Sequence, residues 1–152
     1  NISDAVYQRH NPGGDPFVSK NISTIQDAVL YGLGIVLYWG EGTKADKYSV
    51  RLGNSDPELL IIFIKFLVDI YGVDKSRLKF GLQIFSDIDP ERALQYWQKK
   101  LDVNRSQFYK PYITLSGSLG TYRQKSKYGV VTIYFLNKKL RNILINELNS
   151  FR

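Results

Sequence analysis

Hydrophobic and polar positions follow two different periods along the chain, and segments of each kind alternate. Apolar residues recur at helical spacing in four segments, approximately residues 24–40, 56–71, 89–101 and 137–151. They alternate with polar residues at a period of two in four others, approximately residues 47–52, 78–84, 110–115 and 131–135. The resulting order, α-β-α-β-α-β-β-α, predicts a single α+β domain.

Capping residues indicate where the helices begin. Polar residues that commonly cap helices precede the four helical segments: Ser23 or Thr24, Asp56, Asp89 and Asn137. The second helix is apolar nearly all round, so we expect it to be central and buried. In the last helix the apolar residues recur at helical spacing, as Leu140, Leu144, Leu148 and Phe151.

Each predicted strand has one apolar and one polar side. The apolar side comprises Tyr48, Val50, Leu52, Leu78, Phe80, Leu82, Ile84, Ile113, Leu115, Val131, Ile133 and Phe135. The polar side comprises Lys47, Ser49, Arg51, Lys79, Gly81, Gln83, Lys110, Tyr112, Thr114, Thr132 and Tyr134. A sheet with one polar side is covered by helices on one face only. We therefore expect a mixed or antiparallel sheet with an open polar face.

The open face contains no acidic residue, and the chain as a whole is basic. Lys and Arg number 21 against 14 Asp and Glu, which gives a net charge of +7. This balance favours a polyanionic partner. The predicted DNA contacts are Lys44, Lys47, Ser49, Arg51, Lys79, Gln83, Lys110, Tyr112 and, in a glycine-containing loop, Arg123, Lys125 and Lys127. The alternative is an ordinary solvated sheet face and an ordinary hairpin loop.

Several functional classes are excluded or disfavoured by composition. The chain has no cysteine and a single histidine, His10, so thiol chemistry and multi-histidine metal sites are excluded. Nucleotide-binding glycine motifs are absent, which disfavours an NTPase or an enzyme with an organic cofactor. No apolar run is long enough to span a bilayer, so the expected location is the cytoplasm. Asp87, Asp89 and Glu91 form an acidic cluster that capping explains, although Asp87 is a candidate for a metal shell.

The N-terminal residues differ from the rest of the chain. Residues 1–22 contain a dense group of turn formers and read as an irregular arm or linker, followed by the domain at residues 23–152. Methionine is absent, including at position 1, so we expect a processed or trimmed chain with an upstream segment.

The first helix has a stripe of mostly small residues at four-residue spacing: Ala28, Gly32, Val36 and Gly40. Small side chains on one face let a second helix approach closely. This predicts a helix pair, either across a dimer or against another part of the chain. Tight packing inside the monomer is the alternative.

The end of this helix carries the strongest candidate for chemistry. Glu41 follows Gly40 at the negative end of the helix dipole, where a carboxylate is unfavourable without a compensating cation. Magnesium is bound by one or two carboxylates together with substrate phosphates, so this position predicts a Mg²⁺ site. An exposed glutamate, or a partner for Lys44, is the alternative. Gly42 is expected to end the helix in the left-handed conformation.

Residues 34–42, Gly-Ile-Val-Leu-Tyr-Trp-Gly-Glu-Gly, resemble the motif of the LAGLIDADG homing endonucleases. Val36 stands where that family usually has glycine, and Trp39 where it often has aspartate. The metal-binding acid of the motif corresponds to Glu41. The resemblance implies a saddle-shaped sheet gripping DNA, with the motif helix at the centre of a dimer; a single motif implies a homodimer.

A second resemblance covers most of the chain. Residues 37–44, 53–57, 96–97, 107–110, 127–130 and 137–141 resemble a group of uncharacterised bacterial LAGLIDADG-like proteins. Some of that group carry an upstream helix-turn-helix. The predicted helix at 89–101 is not part of the simplest core of the family, so the topology is expected to depart from it.

The predicted function is Mg²⁺-dependent, site-specific cleavage of duplex DNA by a homodimer, with no membrane or organic cofactor. Glu41 of each subunit would hold the metals, Lys79 and Lys110 are candidates to stabilise charge at the phosphate, and Gln83 to position water. The main alternative is a sequence-specific DNA-binding or regulatory protein without cleavage. Two further alternatives are an RNA-binding protein and a basic domain that assembles with protein partners.

Overall fold

The structure, a computed structural model, describes residues 20–115 and 127–151. Over these residues the chain forms four α-helices and a five-stranded mixed sheet. The helices are α1 Ile25–Glu41, α2 Pro57–Lys65, α3 Pro90–Leu101 and α4 Lys138–Ser150. The strands are β1 Gly42–Thr43, β2 Val50–Asn54, β3 Lys79–Phe85, β4 Tyr112–Thr114 and β5 Val130–Phe135. The predicted α+β class and element order are confirmed, with β1 as an additional short strand. Most of the predicted arm, with His10, and most of the glycine-containing loop lie outside the described residues.

The helix starts follow from the capping residues. The Thr24 hydroxyl accepts a hydrogen bond from the Asp27 amide at 3.0 Å, and the Asp27 carboxylate accepts one from the Thr24 amide at 3.1 Å. This reciprocal pair satisfies two backbone donors at the beginning of α1. Side chains cap the other three helices as predicted, namely Asp56, Asp89 and Asn137. The capping role expected for Asp89 is thereby confirmed.

The sheet has the order β1-β2-β5-β3-β4. Neighbouring strands are antiparallel except β3 and β4, which run parallel because α3 connects them. The register places Val50 opposite Phe135, and Phe80 opposite Ile133. Apolar residues of neighbouring strands therefore lie on the same face.

The hydrophobic core lies between that face and the helices. Strand residues and the buried residues of all four helices form one cluster. A π-helical turn, Phe66–Ile70, continues α2. Together they bury Leu60, Phe63, Ile64, Phe66, Leu67 and Ile70, so the central position predicted for the second helix is confirmed. None of the helices in the described part of the chain is long and apolar enough to cross a membrane.

Four residues that the apolar patterns of the strands and of the last helix predicted to be buried are exposed instead: Tyr48, Ile113, Leu115 and Phe151. Tyr48 precedes β2 in a loop, where Asp46 accepts hydrogen bonds from the backbone amides of Tyr48 and Ser49. Ile113 lies on β4, the last strand of the described sheet, and Leu115 follows its end. Phe151 comes after the last residue of α4. In each case the apolar pattern of the sequence continues beyond the residues that pack against the core.

Candidate nucleic-acid interface

One face of α1 is apolar and uncovered by the described residues. Its large apolar side chains are between 47% and 82% exposed: Ile25, Val29, Leu33, Val36 and Trp39. The predicted stripe of Ala28, Gly32, Val36 and Gly40 lies on this exposed side of the helix. Nothing described lies within 4 Å of a Cβ placed at Gly32 or Gly40. We call this surface, Ile25 to Gly40 on the exposed side, the α1 face.

Close packing inside the domain uses a different glycine. A Cβ placed at Gly34 would lie 2.1 Å from Cγ of Phe66. The helix therefore approaches the core through Gly34, which was not part of the predicted stripe. Among the described residues, the stripe itself serves no internal contact of this kind.

Glu41 is the last residue of α1 and is exposed. Its carboxylate has no hydrogen-bond or ion-pair partner among the described residues. Lys44 does not pair with it: the Lys44 ammonium donates to the backbone oxygens of Trp39 at 2.6 Å and Tyr38 at 3.4 Å. A lysine thus supplies the positive charge that the C-terminal end of the helix favours.

The turn after Glu41 is fixed by close contacts rather than by a left-handed residue. Gly42 has φ −73° and ψ 142°, so the predicted left-handed conformation is wrong. A Cβ there would lie 2.4 Å from both the ring and the backbone oxygen of Tyr38. Arg141 of α4 holds the following loop by donating to the backbone oxygens of Lys44 at 2.8 Å and Asp46 at 3.1 Å.

The open face of the sheet begins beside Glu41. One register row crosses it from strand to strand: Thr43, Arg51, Tyr134 and Lys79. A second row contains Gly53, Thr132 and Gly81, and a third contains Val130, Gln83 and Tyr112. These rows contain no acidic side chain, as predicted.

Several of the predicted DNA contacts are engaged within the domain: Lys44 as described above, Gln83 through a hydrogen bond to the Thr114 hydroxyl at 3.3 Å, and Ser49 and Arg51 with each other. Ser49 is buried, and its hydroxyl accepts a hydrogen bond from Nε of Arg51 at 2.8 Å. Arg51 also forms an ion pair with Asp46. The amide of Tyr48 lowers the pKa of the Asp46 carboxyl most, and Arg51 lowers it further. The charge of Arg51 is therefore already compensated.

The remaining basic residues fall into three groups. Lys47, Lys79 and Lys110 are exposed and have no ion-pair partner in the described structure. Lys127 is exposed beside Tyr128, with its ammonium 5.5 Å from the ring centroid. Arg123 and Lys125 lie outside the described residues.

The predicted catalytic residues do not meet within one chain. Neighbouring strands are about 4.8 Å apart, so Lys79, three strands from Thr43, lies about 14 Å across the sheet from it. Gln83 lies four residues further along β3, and Lys110 precedes β4 at the far edge. Glu41 precedes β1 at the opposite edge.

The acidic cluster at the start of α3 is also engaged. Glu91 receives two hydrogen bonds from the Arg105 guanidinium, at 2.6 and 3.0 Å, and this contact lowers the pKa of the Glu91 carboxyl. Asp87 likewise has a partner. The described residues contain no group of three or more histidine or acidic side chains that is arranged to hold a metal ion.

Sequence reasoning missed an aromatic array on the open face. Tyr134 was placed on this face, but Tyr109 was not assigned to it, because it lies between a short 3₁₀ turn and β4. Its ring packs edge-on against Tyr134 with centroids 5.7 Å apart. A bridge between Phe108 and Phe80 is what turns Tyr109 outward, and no sequence period indicates that bridge.

Comparison with known protein families, with curated proteins and with solved structures finds no match.

Proposed function

We propose that this protein is a homodimer that binds duplex DNA and cleaves it with Mg²⁺. The observation that carries this proposal is the α1 face, which ends at Glu41, an exposed carboxylate with no partner among the described residues. Glycine in the middle of an exposed helix is about 1 kcal/mol less favourable than alanine. Close approach of a second helix would explain the presence of Gly32 despite that cost.

Pairing through the α1 face is supported by its composition. The face combines apolar side chains with small residues, whereas an isolated soluble helix normally exposes polar ones. A second copy of the same helix is a fitting partner because a two-fold interface uses the same surface on both subunits. The two sheets would then form one continuous, saddle-like surface.

Binding of duplex DNA is supported by the charge of the open face. Lys47, Lys79 and Lys110 have no ion-pair partner among the described residues and can neutralise phosphates, and no acid opposes them in the register rows. Arg51 would not be a phosphate contact in this proposal, because Asp46 and Ser49 hold its guanidinium.

Glu41 fits a metal site only in a dimer. The described residues of one chain provide a single carboxylate at this position, but two α1 helices that pair side by side in parallel would bring both Glu41 carboxylates to one interface, and Mg²⁺ requires few protein ligands beside phosphate oxygens. Bound Mg²⁺ supplies Lewis-acid polarisation of the phosphate and activation of water. The chain's own contribution is to hold Glu41 at the end of a rigid helix, with Lys44 stabilising the adjacent carbonyls.

A second function, binding without cleavage, is favoured by a specific observation. Lys79, Gln83 and Lys110 lie toward the edge of the sheet opposite Glu41. If neither subunit brings such a residue to the phosphate near Glu41, the protein binds DNA as a regulator.

The test is a selection of binding and cleavage sites from a random duplex pool, with and without Mg²⁺. We expect bound sequences in both conditions and cut sequences only with Mg²⁺. Glu41→Gln should abolish cutting and retain binding, while Glu58→Gln, an exposed acid at the start of α2, should behave as wild type. Binding without any cutting by the wild type would establish the regulatory alternative. If the protein does not bind duplex DNA, whether or not structured RNA is present as a competitor, both the nuclease and the regulatory function are refuted.

A further inference from the structure

Two tyrosines project from the far side of the open face. Tyr109 is 54% exposed and Tyr112 is 68% exposed. Tyr112 is in register with Gln83 on the neighbouring strand, so both lie on the open face. Tyrosine is enriched at interfaces, because its side chain combines a large apolar ring with a polar tip.

The ring of Tyr109 is supported from behind. It packs edge-on against Tyr134, which lies across Gly81: a Cβ at Gly81 would be 2.9 Å from the Tyr134 ring. The absence of a side chain at Gly81 is what leaves room for the Tyr134 ring at this position.

Tyr134 is fixed in turn by Arg51. The guanidinium carbon of Arg51 lies 5.0 Å from the centroid of the Tyr134 ring, and the same guanidinium donates to Ser49 and forms an ion pair with Asp46. Arg51 of β2, Tyr134 of β5 and Tyr109, in the segment before β4, therefore form an ordered array on the open face. An ordered ring loses little freedom when a ligand stacks on it.

We propose that Tyr109 and Tyr112 form a stacking site for unpaired nucleobases. The proposal rests on the proposed function, in that the same face binds nucleic acid, and it names the form of nucleic acid preferred. In an intact duplex both faces of each base are already stacked, so only an unpaired base can stack on a tyrosine. Lys79, beside Tyr134 in the register, and Lys110, next to Tyr109, provide positive charge for the phosphates of the same strand.

The test compares a fully paired DNA duplex with the same duplex carrying a central unpaired stretch, by fluorescence anisotropy at fixed salt. We expect the second probe to bind at least about tenfold more tightly, which corresponds to about 1.4 kcal/mol. Tyr109→Ala and Tyr112→Ala should each reduce this preference, and Tyr109→Phe should retain it. Tyr48→Ala is the matched control, because Tyr48 is 63% exposed and its ring contacts Lys138 rather than the open face. Circular dichroism of each variant verifies folding.

The outcomes separate this inference from the proposed function. Equal binding of the two probes, or equal loss on both in the Tyr109 and Tyr112 variants, overturns the stacking site and leaves duplex binding intact. Binding of the unpaired probe alone supports the stacking site and refutes duplex binding. Absence of binding to either probe refutes both. Probes of the same sequence in RNA show whether the unpaired base is supplied by DNA or RNA.

Discussion

Replacing Gly34 with alanine would place a methyl carbon against the ring of Phe66. Its distances to three ring atoms would be 2.1, 2.2 and 2.5 Å, whereas carbon atoms pack at about 3.5–4.0 Å. The ring or the helix must therefore move by about 1.5 Å. Phe66 is fully buried, with the rings of Phe63 and Tyr71 at centroid distances of 5.6 and 5.4 Å, so the ring has little room to retreat.

The expected net effect is a destabilisation of about 2 kcal/mol. Inserting a methyl group into a close-packed core costs about 1–3 kcal/mol, and the cost here should lie at the upper end, about 3 kcal/mol, because the buried Phe66 ring has little room to move. The gain in helix propensity from glycine to alanine offsets about 1 kcal/mol of this cost. The measurement is urea-induced unfolding of Gly34→Ala and wild type, followed by circular dichroism. In Gly34→Ala with Phe66→Leu, the smaller side chain should make the combined loss less than the sum of the two single losses.

Gly32→Ala is the control on the other side of the same helix. No described atom lies within 4 Å of the added methyl, so the folded monomer should gain about 1 kcal/mol from helix propensity. This gain should appear at protein concentrations where the chain is monomeric, and dimerisation should weaken because the methyl separates the two helices. Wild-type stability of Gly34→Ala would refute the packing argument. An unchanged dimer in Gly32→Ala would refute close approach at the α1 face.

Two further predictions concern stability. Hydrogen bonds from Lys20 and Tyr31 lower the pKa of the Glu147 carboxyl below its ordinary value of 4.5. The stabilisation from the ionised Glu147 is therefore present above pH 4.5 and is lost as the pH falls through the lowered pKa. Glu147→Gln should make the unfolding free energy decline less steeply between about pH 5 and 3. An unchanged slope would contradict this. Trp97→Phe removes the hydrogen bond from the indole to the backbone oxygen of Tyr128 at 2.7 Å, and should cost about 1–2 kcal/mol in urea unfolding; a loss below about 0.5 kcal/mol would contradict that role.

Much of the fold could be predicted because local chemistry determines it. The helix starts follow from capping side chains that bond to amides two or three residues away, as at Thr24 and Asn137. The faces of β2, β3 and β5 follow from alternation because helices cover one side of these strands. The same alternation was wrong at Tyr48, Ile113 and Leu115, where a residue lies outside a strand or at the margin of the described sheet. The alternation shows which residues are apolar, but it does not show how far the helices that cover the sheet extend.

The candidate site was predictable only in part, for a similar reason. The stripe on α1 is local, and its residues do share an exposed side of the helix. The separation of Lys79 from Glu41 depends on the strand order, which no local pattern contains. Arg51 is not a free cation, because it forms an ion pair with Asp46, which lies in a loop whose conformation fixes that pair. The outward position of Tyr109 depends on the bridge between its neighbour Phe108 and Phe80 of β3.

Dimerisation and DNA binding are tested together by the solution mass of the purified chain, measured by light scattering with and without a random-sequence duplex DNA pool. We expect about twice the 17.5 kDa of one chain in the absence of DNA, and a larger mass when DNA is present. A mass of 17.5 kDa that DNA leaves unchanged would contradict both the pairing of the α1 faces and the binding of DNA to the open sheet.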